Sequence, residues 1–142
     1  FFFQAEDGIR DRLSLVGSEM CIRDSYFTKE DDGLSHGWKG RVWLNPPYSR
    51  DFMFLFCEKL ASHFDAGDVT AAILVSHNNT DTRWFHRLGK SCAAMCFPKQ
   101  RIRFYRGDDI AAPVNGQVFF YFGSDVGAFR DVFEDIGLVV YT

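Results

Sequence analysis

Asn45-Pro46-Pro47-Tyr48 is the run in this 142-residue chain whose residue types and spacing can do chemistry together. An amine conjugated to a planar ring is a poor nucleophile, because its lone pair is delocalised into the ring. A site that accepts hydrogen bonds from both N–H groups favours the pyramidal nitrogen, whose lone pair then points at an electrophile. Asn45 Oδ1 and the Pro46 carbonyl are the candidate acceptors. Pro46 and Pro47 fix the backbone and pre-aim that carbonyl, and Tyr48 offers a ring face on which an extruded base can stack. Stacking calls on the ring face rather than the hydroxyl. The chemistry is then group transfer to an exocyclic amine by positioning and electrostatics, without a covalent enzyme intermediate. A proline-rich turn between strand and helix, with no chemistry, is the competing reading.

Two further groups stand out. Lys99, Arg101, Arg103 and Arg106 form a dense basic cluster interleaved with Ile102, Phe104 and Tyr105. Alternation on a strand puts Arg101 and Arg103 on one face, where they could grip phosphates; a solvated edge strand guarded against aggregation gives the same pattern. Thr80, Asp81 and Thr82 are good helix N-cap residues, and at the carboxyl end of a strand they could also border a pocket. His77 and His86 have no convergent partners, and no Cys/His cluster has zinc-site spacing, so no metal is expected.

The elements that must position these groups follow from periodicity. Arg41 to Leu44 is a β-prone run stopped by Pro46 and Pro47, so a strand ends at the motif. Phe52, Leu55, Phe56, Lys59, Leu60 and Phe64 recur at helical spacing, with Gly67 placed to stop the helix. Val69 to Ser76 predicts a strand buried on both faces, and a helix carrying Trp84, Phe85 and Leu88 follows. Ala93 to Phe97, Arg101 to Tyr105 (an edge strand) and Gln117 to Phe122 complete a second set of strands. Phe129, Val132, Phe133 and Ile136 predict a last helix ending at Gly137, before a strand from Leu138 to Tyr141. The alternation implies an α/β fold with a mostly parallel sheet and helices on both faces. Ligands in such sheets sit outside the strands' carboxyl ends, where the motif lies.

The opening stretch, Phe1 to Ser25, resembles translated sequencing-library adapter: the codons of one common adapter oligonucleotide spell Gln4 to Asp11, and a second reproduces Leu15 to Ser25. Residues 1–25 are therefore expected to be an artefact outside the fold, with 26–142 the authentic portion of one domain and the true N-terminus missing. Without the stretch, thirteen basic residues face fourteen acidic ones. Net charge then supplies no general attraction to nucleic acid, and any binding must come from a local basic surface. Cys57, Cys92 and Cys96 lie in apolar segments and read as reduced core residues of a cytoplasmic protein. No apolar run is long enough to cross a bilayer.

The residues leading into the motif, Tyr26-Phe27-Thr28-Lys29-Glu30-Asp31-Asp32-Gly33-Leu34 with Trp38 and Gly40, resemble the phage-type DNA N6-adenine methyltransferase family. So do Thr80-Asp81-Thr82-Arg83-Trp84-Phe85-His86, and Arg101-Ile102-Arg103-Phe104 with the apolar strand before Gly123. The resemblance implies a partial Rossmann-like methyltransferase fold. It also implies methyl transfer from S-adenosylmethionine to adenine N6 in double-stranded DNA, in phage or prophage modification or a restriction system. Asn45 and Pro46 would hold the amine, Pro47 would stiffen the turn and Tyr48 would stack on the base. In such enzymes an acidic residue followed by a small or apolar pair contacts the cofactor's adenine amine, and Asp32-Gly33-Leu34 matches best; a solvated acidic turn is the alternative. The family's segment for the cofactor's methionine end precedes Tyr26 and is expected to be missing, with Gly123-Ser124-Asp125 only a weak imitation. Similar motifs serve methylation of ribosomal RNA guanine and of protein glutamine. An RNA or protein-glutamine aminomethyltransferase therefore stays open, as does a non-catalytic nucleic-acid-binding remnant.

Overall fold

The computed structural model describes residues 2–4, 26–27, 32–103, 105–106, 109–110 and 115–142. In chain order these form β1 (Phe2–Gln4), β2 (Tyr26–Phe27), β3 (Gly40–Asn45), α1 (Arg50–Asp65), β4 (Val69–His77) and α2 (Arg83–Ser91). Then come β5 (Ala94–Pro98), β6 (Tyr105–Arg106), β7 (Asp109–Ile110), β8 (Gln117–Phe122), α3 (Val126–Phe133) and β9 (Gly137–Tyr141). One sheet has the order β2-β1-β3-β4-β8-β5-β9, and β6 pairs with β7 apart from it.

The run Gln-Val-Phe-Phe-Tyr-Phe of β8 offers no face suited to water, and all six residues are buried. Val118, Phe120 and Phe122 enter one core with Val42 and Leu44 of β3, Leu74 of β4, Phe56 and Leu60 of α1, and Phe85 and Leu88 of α2. Phe119 and Tyr121 enter a second core on the opposite face, with Val75, Cys96 and the α3 residues Phe129 and Phe133. Alternation along each strand thus feeds two cores. Helices cover both faces, as expected: α1 and α2 on one, α3 on the other.

The mostly parallel, Rossmann-like sheet expected from the alternation of strands and helices is corrected. Among the five strands whose side chains are described, only β3 and β4 pair in parallel; β4–β8, β8–β5 and β5–β9 are antiparallel. A helical crossover makes its two strands run the same way, but it does not make them neighbours. The crossover from β4 through α2 to β5 skips one place in the sheet, which β8 fills in the opposite direction. The crossover from β8 through α3 to β9 likewise skips the place that β5 holds.

Other boundaries move for local reasons. The buried stripe of α1 is Met53, Phe56, Cys57, Leu60 and Ala61, whereas Phe52 and Leu55 are 50% and 47% exposed. The observed stripe follows the i, i+3, i+4, i+7, i+8 spacing of an amphipathic helix, one position round from the expected one. Gly67 stops α1 as expected: at φ +80° it lies in the left-handed region, and its N–H donates to Phe64 O at 3.0 Å. The last helix ends at Phe133, not Gly137. Gly137 instead opens β9 opposite Pro98, where a Cβ would come within 2.1 Å of the Phe97 carbonyl oxygen. Arg101 to Arg103 are not a strand, Phe104 lies outside the described residues, and only Tyr105–Arg106 pairs, with Asp109–Ile110.

The backbone of Phe2–Gln4 pairs in parallel with β2 and β3, so these three residues of the stretch expected to stand outside the fold are strand. The other residues of 1–25 lie outside the described residues. Among the described residues, no helix is long and apolar enough to cross a membrane, and no group of three His, Cys, Asp or Glu could hold a metal ion.

The rotated stripe of α1 gives a direct comparison. Phe56→Ala is expected to lower the unfolding free energy in urea by about 3–5 kcal/mol, and Phe52→Ala by less than about 1 kcal/mol.

Candidate active site

Four segments meet at one edge of the main sheet. β3 delivers Asn45 there at its carboxyl end, and β4 delivers His77 at its own. Because β8 runs the other way, its first residue, Gln117, stands opposite His77. β5 brings its carboxyl end, and hence Lys99, to the same edge. Asn78 N–H donates to Gly116 O at 3.1 Å, tying the loop after β4 to the approach to β8.

Pro46 is fully buried under this edge, and Tyr48 is half-buried beside it. The Tyr48 hydroxyl donates to Asn45 Oδ1 at 2.8 Å. Its ring stacks on the His77 imidazole with centroids 4.3 Å apart and planes 12° from parallel. Burial pushes the phenol pKa up, so the hydroxyl stays a donor throughout the physiological range. Burial also lowers the His77 pKa, which keeps the imidazole neutral at neutral pH. A pocket of about 190 Å³ opens here, lined by Tyr48, Met53, His77, Asn79, Thr82 and Trp84.

Of the residues expected at this site, Asn45, Pro46, Pro47 and Tyr48 lie together at the end of β3; Tyr48 and Thr82 line the pocket, and Asn45, Pro46 and Pro47 do not. Thr82 is also the N-cap of α2: Oγ1 accepts from Phe85 N–H at 3.4 Å and donates to Asn79 O at 2.8 Å. Thr80 and Asp81 are exposed and do not line it. Trp84, expected only as a core residue, does, and so does Met53, which the sequence reading does not single out. The sequence gives His77 no role beyond lacking the partners of a metal ligand. Its position as the last residue of a strand ending at the motif's edge was the available signal.

Asp32-Gly33-Leu34 is held elsewhere. Asp32 has φ +43°, and its carbonyl accepts from the Ser35 backbone N–H and hydroxyl, each at 2.8 Å. Trp38 Nε1 donates to Gly33 O at 2.9 Å, and Lys59 Nζ donates to Leu34 O at 2.7 Å while sitting 5.3 Å from the Trp38 ring centroid. Trp38 in turn stacks on Phe56 and His63 of α1. These contacts anchor the turn on the second half of α1, which runs toward the amino ends of β3 and β4, away from Asn45. The basic residues, by contrast, begin at the motif's edge. Arg101 and Arg103 are exposed, and Ile102 between them packs into the second core while its N–H donates to buried Gln117 Oε1 at 3.1 Å. Lys99 Nζ donates to Asp135 O at 3.4 Å, and the Arg106 side chain lies outside the described ones.

The fold and site define an α/β protein with an amide and a stacked aromatic pair at a strand's carboxyl end. A family model described as DNA N-6-adenine-methyltransferase (Dam) matches residues 11–122, and the chain belongs to that family. No curated protein and no solved structure matches the chain.

The left-handed backbone at Asp32 gives a stability test of the turn. Asp32→Gly is expected to be more stable than Asp32→Ala by about 1 kcal/mol in thermal or urea unfolding, since only glycine adopts that φ without strain.

Proposed function

We propose that this protein orients the N6 amine of adenine in DNA for methylation, and that Asn45 is the central acceptor. The observation that carries the reading is Tyr48, which lines a pocket the size of one flat ring and whose hydroxyl also reaches Asn45 Oδ1 at the carboxyl end of β3, 2.8 Å away. A carbonyl oxygen has two acceptor positions, so Asn45 Oδ1 can take an amine N–H while it accepts from Tyr48. The Pro46 carbonyl is the second acceptor of this reading. Two acceptors on one amine favour the pyramidal nitrogen, and the walls of Met53 and Trp84 keep water off it. Tyr48 supplies the stacking face for the extruded base.

S-adenosylmethionine is the donor that the family resemblance implies; when bound, it supplies a methyl group on an electrophilic sulfonium. The pocket beside Tyr48 does not fit it whole. The pocket of about 190 Å³ falls below the roughly 300–1,000 Å³ of pockets that enclose whole ligands, and no acidic side chain lines it. The reading therefore concerns the acceptor half of the reaction, and no described residue is assigned to the donor.

Arg101 and Arg103 support duplex DNA as the substrate. Both are exposed, and Ile102 pins their segment close to the edge that carries the pocket. Phosphate contacts of this kind fix the register of a duplex without reading its sequence. A phage or prophage setting, and a cytoplasmic one, are the contexts in which such modification operates.

Transfer of tritiated methyl from S-adenosylmethionine, with N6-methyladenine identified in the digested DNA, tests the reading. Label appearing in RNA or in protein glutamine instead would reassign the substrate, and no label in any of them would leave a binding remnant. Asn45→Ala should lower turnover by about two to three powers of ten with folding intact, the usual loss for one preorganised group at a developing charge. Arg103→Gln should reduce the slope of log affinity for duplex DNA against log salt by about 1, uniformly across sequences.

A further inference from the structure

The prolines fix the backbone of the motif but leave the Tyr48 side chain two rotatable angles, and Tyr48 lies in a loop rather than in a strand or helix. Something outside the motif must hold its ring. Leu44 stands opposite Leu74, so β4 runs three residues beyond that pair, to His77, while β3 runs only one, to Asn45. The overhang carries His77 alongside the loop that follows β3. The imidazole then lies flat on the phenol at 4.3 Å. The His77 backbone is itself fixed, by pairing with Gln117 and by the Ser76 hydroxyl donating to His77 O at 3.2 Å.

We infer that His77 is a positioning residue for the amine acceptor, an inference that rests on the proposed function: stacked on Tyr48, it holds the phenol where its hydroxyl reaches Asn45 Oδ1. The hydroxyl occupies one acceptor position of that oxygen and holds the amide by that end. The other acceptor position is left for the substrate amine. Were the amide turned over, its NH2 would face another N–H donor and repel it. The hydroxyl therefore does work that the ring face alone does not, in contrast to the expectation that Tyr48 acts only by stacking. The imidazole needs no proton transfer for this role, so another flat ring at position 77 should serve.

His77→Ala, His77→Phe and Tyr48→Phe, each made in the whole chain and checked for folding by thermal melting, test the inference by two readouts. The first needs no substrate: the Asn45 side-chain amide is followed by NMR in asparagine-labelled protein. His77→Ala should displace its resonances in the same direction as Tyr48→Phe, and His77→Phe should leave them near the wild-type positions. The second is methyl transfer to adenine in duplex DNA. His77→Ala should lower kcat about three- to tenfold, the range a stacked aromatic pair is worth, with KM for DNA unchanged and His77→Phe restoring most of the rate. If His77→Ala does not fold, His77→Leu, which fills the space without a flat face, takes its place. An Asn45 amide unmoved by the loss of the ring, or His77→Phe behaving like His77→Ala, would overturn the inference. A wild-type protein that methylates no DNA would overturn the proposed function instead, and the amide readout would still decide the role of His77.

Discussion

A six-residue strand with no side chain exposed has to be covered on both faces and paired along both edges. β8 meets that constraint by running antiparallel between β4 and β5. Its alternating aromatic residues then feed both cores, so α1 and α2 are drawn to one face and α3 to the other. The functional edge depends on the same strand. Reversing its direction relative to β4 places Gln117 beside His77, and Gln117 Oε1 then holds the segment between Arg101 and Arg103.

At that edge, polar groups satisfy one another while keeping acceptor capacity for a ligand. Among the described residues, no buried side-chain nitrogen or oxygen lacks a hydrogen-bond partner. Tyr48 and Asn45 are joined, yet a carbonyl oxygen with one donor on it still accepts a second. Stiffness comes from three sources that differ in kind: proline geometry at 46 and 47, aromatic stacking at Tyr48 and His77, and sheet pairing beneath both.

The turn at Asp32 has structural contacts of its own beside the cofactor contact that the resemblance implies. An acidic residue followed by Gly and Leu suits a contact to an adenine amine, but it equally suits a left-handed turn. The described contacts of Asp32, Gly33 and Leu34 run through the backbone to Ser35, Trp38 and Lys59. Lys59 has a depressed pKa because it is partly withdrawn from water, and the nearby charge of Asp32 offsets part of that. The segment is thereby fastened to α1, with the carboxylate at the exposed surface.

What the sequence by itself determined is whatever depends on neighbouring residues. Prolines at 46 and 47 end a strand through missing donors, Gly67 ends a helix through its free φ, and Thr82 caps α2 through a side-chain oxygen three residues from its partner. The motif at 45 to 48, whose amine-accepting role is proposed, stands out for the same reason, because all four residues are contiguous. Only the tertiary structure decided the rest. A crossover sets the direction of its strands through local chain geometry, but which strand fills the skipped place depends on burying β8, a contact between residues some forty apart. The inward face of α1 follows the apolar spacing Met53, Phe56, Cys57, Leu60 and Ala61, and only packing decided between it and the neighbouring stripe that holds Phe52 and Leu55. His77 met Tyr48 only because β4 outruns β3, and that overhang is a property of the register between two strands rather than of either one.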